Sequence, residues 1–272
     1  MNNGRKVMKD VFFFIIYILI AIFALFPLLW GLKLSLTPKY DYGFWPKSLT
    51  LVHYKAIFQR KEVIVYFLNS VKVALGTIVI VVPLSLMAAY ALARFCFPGR
   101  RTLGMILLLL PMLPMTAILV PLVSYYNKLG LYNTIQGVIL VNATFSLPLA
   151  VWMLRNFIVN TPKNIEEAAL IDGLGPMQTL FRVTLPMIRP GVMTVIIYLF
   201  ISSWNGYTAS YALTTSPDKR VLAQGVLAFL GSWETDWGGL TAMGLLMVFP
   251  PILLFLCFQD TFIAGMFGES LK

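Results

Sequence analysis

Two adjacent carboxylates, Glu166 and Glu167, stand within residues 161–190 of a mostly apolar chain. The stretch reads Asn164-Ile-Glu-Glu-Ala-Ala-Leu-Ile-Asp-Gly173, then Leu-Gly-Pro-Met-Gln-Thr-Leu-Phe-Arg-Val-Thr-Leu185-Pro186. Thr161 or Asn164 can cap a helix there, with both carboxylates in its first turns, where acidic groups suit the positive helix end. Ile165, Ala168 and Ala169 give that helix a small, tight face. Gly173 or Gly175 can end it in a left-handed cap. Pro176 can start a second helix, and Pro186 and Pro190 break the chain beyond it. The pattern predicts a short helix–turn–helix, with an ordinary connecting loop as the plain alternative.

A second polar group lies near residues 202–214: Ser202, Ser203, Asn205, Tyr207, Thr208 and Ser210, with Trp204 and Tyr211 among them. Ser203, Tyr207, Ser210 and Thr214 fall at i, i+4, i+7 and i+11, one face of a continuous helix. Asn142, Thr144 and Ser146 form a similar group earlier. Hydroxyls beside aromatic rings suit sugars, which offer apolar faces and hydroxyls together. Hydrogen bonding between helices is an equal reading. Other chemistries find little support. The single histidine, His53, has no Cys, His or acidic cluster around it, so no metal site is expected. Cys96 and Cys257 give no disulfide framework and read as small buried side chains. The dipeptide Gly-Lys does not occur, so the chain has no Walker-type nucleotide loop and is not expected to be an enzyme.

The elements that hold these groups are membrane helices. Of 272 residues, 59% are hydrophobic and 12% charged, with a mean hydropathy of +0.81; soluble domains carry about 25% charged residues. A span needs about 20 apolar residues. Six runs qualify, at residues 11–32, 73–93, 103–126, 132–154, 191–213 and 239–258. The run at 73–93 does not alternate in polarity as a barrel strand does, and no run contains Asp, Glu or His, the groups an ion-coupled secondary transporter uses. Prolines at 83, 111, 114, 121, 148, 250 and 251 predict kinks.

The net charge of +10 sits mainly between apolar runs, where it meets lipid headgroups rather than nucleic acid. Residues 94–101 hold three positive charges and residues 127–131 one, which places both termini in the cytoplasm. Residues 34–70 then form an external loop. Leu51, Tyr54 and Phe58 are spaced for one face of a short helix lying at the membrane surface.

Glu167-Ala168-Ala169, three residues, Gly173, nine residues, then Val183-x-Leu185-Pro186 resembles the signature loop of binding-protein-dependent ABC importer permeases. Ala88-Ala89-Tyr90-Ala91-Leu92-Ala93-Arg94 with Phe97-Pro98-Gly99, Lys128-Leu129-Gly130-Leu131 and Ser203-Trp204-Asn205 extend the resemblance to the carbohydrate branch, specifically its smaller, maltose-permease G-type subunit. The chain departs at Val183, where isoleucine is usual, and in its tail, residues 263–272.

The resemblance implies an all-α, six-helix type I importer permease: one transmembrane domain over 1–272 with its core at about 65–260, and a cytoplasmic coupling segment at 161–190 between helices four and five. It implies import of a sugar or oligosaccharide across a bacterial or archaeal cytoplasmic membrane, including an anionic one, since the outer loops are basic. A phosphate ester, amino acid or peptide is the alternative cargo. The implied partners are a second related permease subunit forming a heterodimer, two ATPase subunits that carry ATP and magnesium, and an external solute-binding protein. Glu167 would be the anchoring contact to an ATPase, with Ala168 and Ala169 allowing close approach and Gly173 making the turn. Met177, Leu180 and Leu185 would hold the second helix against the bundle, and Glu166, Asp172 and Pro186 complete the set. Asn142, Thr144, Ser203, Trp204, Asn205, Tyr207, Ser210 and Tyr211 are the candidate substrate path.

Overall fold

The structure is a computed structural model that describes residues 2–39, 41, 43–230 and 235–267, with side chains between residues 9 and 259. The side chains of the divergent tail, residues 263–272, lie outside the described residues. The helices are α1 (Asn2–Ser35), α2 (Val52–Gln59), α3 (Lys61–Arg94), α4 (Arg100–Leu109), α5 (Met115–Lys128), α6 (Ile135–Val159), α7 (Lys163–Ile171), α8 (Pro176–Thr179), α9 (Leu185–Met187), α10 (Arg189–Trp204), α11 (Tyr207–Leu213), α12 (Leu222–Gly225) and α13 (Trp237–Phe267). No strand occurs among the described residues beyond an isolated bridge between Leu230 and Thr235.

Among the described residues four helices are long and apolar enough to cross a membrane, and the count reaches six if each of two bent pairs is one span. Two predicted spans are broken, 103–126 at the first of these bends and 191–213 at a separate interruption. Residues Arg100–Met112 and Met115–Lys128 meet at 96°. The cause is local: Pro114 pushes the preceding Leu113 into an extended conformation, φ −70° and ψ 125°, which stops the helix. The span expected at 191–213 is interrupted at Asn205 and Gly206, between α10 and α11. By contrast Pro83 and Pro148 sit inside the unbroken helices α3 and α6.

One compact unit comprises residues 62–225 and 250–272. Its core joins Val81, Leu86, Ala89 and Ala93 of α3 to Ala143, Ala150, Leu154 and Ile158 of α6, and to Val192, Val195 and Leu199 of α10. Lipid supplies no hydrophobic drive between helices, so close approach of small residues does the work. Gly76 lies against Ile139, and Gly191 against the ring of Phe157. At the end of this unit remote from Arg94, side-chain amides tie the loops. Asn69 Nδ2 donates to the carbonyls of Asp218 and Arg220, both at 2.9 Å. Asn133 Oδ1 accepts from the amides of Thr215 and Ser216 at 3.1 and 3.0 Å.

The other unit comprises residues 1–61 and 226–249. Its α1 is apolar on every side, and none of its 18-residue core is buried by the chain itself, as expected of a helix solvated by lipid. α2 forms where the sequence predicts a short helix; the chain itself buries its His53 and Ile57 and leaves Leu51 and Phe58 exposed. His53 Nε2 pairs with the Thr37 carbonyl at 2.9 Å, and Asp236 Oδ1 lies 3.7 Å from its Nδ1. Residues 61–70, expected in the external loop, belong to α3 instead. Cys96 and Cys257, expected to be buried, are exposed. Cys96 lies in the connection between α3 and α4, and Cys257 on a face of α13 that the chain's own packing does not cover.

Placing Val at Gly191 drives methyl groups into the Phe157 ring, and overpacking of this kind costs about 1–3 kcal/mol. The unfolding midpoint of purified Gly191→Val is expected to fall. Gly31→Ala, with nothing within 4 Å of the added carbon, is expected to leave it unchanged or higher.

Candidate functional site

The segment after α6 is organised by a buried ion pair. Arg94, the last residue of α3, donates from Nε to Glu166 Oε2 and from Nη2 to Oε1, both at 2.9 Å. Nη2 also donates to the Thr161 carbonyl at 3.2 Å and to its Oγ1 at 2.7 Å. The two charged side chains are only 9% and 5% exposed. A planar guanidinium matched to a carboxylate by two parallel bonds is the strongest geometry such a pair offers. Sequence reasoning missed the role of Arg94. Nothing local joins a residue to a partner 72 positions away; the available signal was a single charge closing an apolar run.

This pair decides which way α7 faces. Glu166 and Ala169 point inward and are buried, while Glu167, Ala168 and Ile171 are exposed, Ile171 at 85%. Ala169 thus approaches this chain's own bundle, not an outside surface. The expected caps differ as well. Pro162 precedes α7 and no side chain caps it. Thr161 is held by Arg94 and Ile158, and Asn164 Oδ1 accepts from the adjacent Ile165 amide at 3.1 Å. Gly173, not Gly175, takes the left-handed conformation at φ 88°. The amides of Gly173 and Leu174 then bond to the carbonyls of Leu170 and Ala169, both at 3.1 Å, closing the helix end. Asp172 is the exposed C-cap residue.

Pro176 opens α8 as predicted. A π-helical turn, Leu180–Thr184, leads from α8 to α9. Leu180 is fully buried and Leu185 packs on the same core. Met177 is 51% exposed and does not hold the segment to the bundle, since it faces away from that core. Pro186 is the second residue of α9 and does not break the chain; the bend of 84° falls at Ile188, before Arg189 and Pro190. A cavity of about 230 Å³ opens between the end of α3 and α7, lined by Tyr90, Arg94, Phe95, Lys163, Glu166, Glu167, Leu170 and Pro176. Arg94 Nη1 is buried there without a hydrogen-bond partner.

The residues of the polar stripe do not share one helix face, because the break at Asn205 and Gly206 divides them. The structure does bring Asn142 to that break: a Cβ on Gly206 would come within 2.9 Å of Asn142 Oδ1. Asn142 Nδ2 donates to the Val138 carbonyl at 2.8 Å, and Thr144 Oγ1 to that of Leu140 at 2.8 Å. Ser203 Oγ is buried without a partner. Ser210 Oγ donates to the Gly206 carbonyl at 2.7 Å. Trp204, 1% exposed, is not presented to a pathway; it packs edge-on against Phe67 at 5.6 Å and stacks on Phe200 at 5.4 Å. Tyr207 and Tyr211 stack at 5.3 Å, with Tyr211 and Asn205 exposed.

Residues 81–268 match the family described as binding-protein-dependent transport system inner membrane component. The chain is 36% identical to the diacetylchitobiose uptake system permease protein NgcG of Streptomyces coelicolor, over 93% of this chain and 85% of that one. It is 35% identical to the trehalose transport system permease protein SugB of Mycobacterium tuberculosis, over 93% and 94%. Among solved structures it resembles a chain of a bacterial ABC transporter involved in import of the acidic polysaccharide alginate, with a TM-score of 0.80 and 20% identity over 96% of this chain and 98% of that one.

Removing one member of a buried ion pair leaves the other charge stranded and costs about 3–5 kcal/mol, whereas replacing both with apolar groups is far milder. Glu166→Ala is therefore expected to destabilise the chain strongly in chemical denaturation. The double variant Arg94→Met/Glu166→Leu is expected to recover most of that loss.

Proposed function

The chain belongs to the family of binding-protein-dependent transport system inner membrane components, and we propose that it is the transmembrane subunit of an ATP-driven importer that carries a sugar or oligosaccharide across a bacterial or archaeal cytoplasmic membrane. The sugar class is favoured over phosphate esters, amino acids or peptides by the relatives, which are permease proteins of diacetylchitobiose and trehalose systems. An anionic sugar is compatible with the basic residues of the external loop, Lys39, Lys47, Lys55 and Arg60.

In this reading a second, related permease subunit completes the translocation path, an external solute-binding protein delivers cargo, and two ATPase subunits hold ATP and magnesium on the cytoplasmic side. Both termini lie in the cytoplasm. The observation that carries the coupling role is the division of labour along α7. Glu166 is spent on Arg94, so Glu167, Ala168 and Ile171 are left on the opposite, exposed face. That face offers one charge, one small residue for close approach and one apolar side chain, a compact docking surface for an ATPase groove. The adjacent cavity offers Lys163 beside Glu167 and the free Nη1 of Arg94. Because α7 is clamped to the end of α3, a push on α7 is transmitted to a membrane helix directly. Closure of the ATPase pair then biases the bundle between its inward- and outward-facing states. The divided stripe around Asn142, Ser203, Asn205, Tyr207, Ser210 and Tyr211 is the proposed path, with the helix break presenting main-chain polar groups where the chain lines a cavity.

Reversing an interfacial charge removes a contact worth about 2–5 kcal/mol, so Glu167→Lys is expected to lower substrate-driven ATP hydrolysis by about tenfold or more. Gly173→Pro, which cannot adopt φ 88°, is expected to do the same. Both are measured in the reconstituted complex with disaccharide-loaded binding protein. Wild-type coupling in both variants would sink the assignment.

A further inference from the structure

A larger cavity, of about 570 Å³, opens beside the α3–α4 turn, between that turn, α4 and α6. Arg100 and Arg101 of α4 and Arg155 of α6 line it, with Trp152, Met105 and Leu108. None of its lining residues is acidic. Among the described residues, none of the three arginines is in an ion pair. Arg100 Nη1 reaches only the Phe95 carbonyl at 3.3 Å and Cys96 Sγ at 3.8 Å. Three guanidiniums sharing one recess repel each other unless an anion sits among them. Their planar forks match the oxygens of a phosphate.

The apolar part of the lining identifies where that phosphate comes from. Arg101, Met105 and Leu108 fall at i, i+4 and i+7, one stripe of α4 that is basic at the helix start and apolar toward its middle. On α6, Trp152 and Arg155 repeat the order at i and i+3. Met105, Leu108 and Trp152 are 48%, 44% and 36% exposed. A charged head above an apolar stem, with a tryptophan beside them, is the profile of the membrane interface.

We propose that this cavity binds a phosphate-bearing anion, and that the phosphate is carried by the headgroup of an anionic phospholipid whose acyl chain lies along Met105 and Leu108. The leaflet concerned is the cytoplasmic one if the orientation proposed above holds.

The test counts phospholipid retained by the full-length chain, with whatever subunits copurify, in detergent by native mass spectrometry. Phosphatidylglycerol and phosphatidylcholine are supplied in equal amounts. Each arginine near anionic lipid contributes about a fivefold preference. The wild type is expected to retain phosphatidylglycerol at least about tenfold over phosphatidylcholine. Arg101→Gln, an exposed position whose loss leaves the fold intact, is expected to lower that ratio about fivefold, and Arg101→Lys to keep most of it. The double variant Arg101→Gln/Arg155→Gln is expected to abolish it. Retention of the lipid against excess inorganic phosphate supports the lipid source; displacement overturns it. Equal retention of both lipids by the wild type, or an unchanged ratio in the double variant, overturns the site. The measurement needs neither ATPase nor orientation, so its failure leaves the importer reading untouched.

Discussion

The bidentate pair of Arg94 and Glu166 fixes the arrangement of everything on that side of the bundle. Buried charges are expensive to strip of water, and two of them are tolerable only when each satisfies the other. Arg94 ends a 34-residue helix, and Glu166 lies in the first turn of a 9-residue one. A short helix has little stability of its own. The pair, with Thr161 as a third member, therefore determines both where α7 sits and which residues it turns outward. Glu167 is available to a partner because Glu166 is not.

Around that clamp the bundle is built from small residues and broken helices. Ala89, Ala93, Ala143 and Ala150 let α3, α6 and α10 approach closely, which matters where van der Waals contact rather than water drives association. The breaks at Leu113, Ile188 and Gly206 take main-chain groups out of the regular helical ladder. Inside a membrane such groups are tolerated only within protein or beside a cavity. The polar side chains that gather at the Gly206 break, Asn142 and Ser203 above all, belong to the same logic.

Much of this fold is legible in the sequence, for physical reasons that differ between regions. Apolar run length reveals spans because lipid cannot hydrogen-bond a bare backbone; α6 follows its run closely, while α3 and α13 contain theirs and extend beyond them. Gly173 and Pro176 are legible because each has a backbone preference few other residues share. The bends are not, since Pro83 and Pro148 stay within unbroken helices while Pro114 stops one. Proline's effect depends on neighbours that the local sequence does not reveal. Likewise the burial of Trp204 depends on Phe67 and Phe200, and the inward turn of Ala169 depends on Arg94. Pairing over long separations leaves no periodic trace.

The π-helical turn at Leu180–Thr184 has a further meaning. It holds one residue more than an α-helical turn would. Such a turn is an insertion tolerated within a helix, and it sets the phase between the helical stretches on its two sides. Loss of one residue within 180–184 would restore α-helical phase and rotate the two flanks against each other by about 100°. Leu180 and Leu185 would then no longer both reach the core. The segment is thus sensitive to length before it is sensitive to side-chain identity, and substitutions within the turn are constrained less than insertions or deletions.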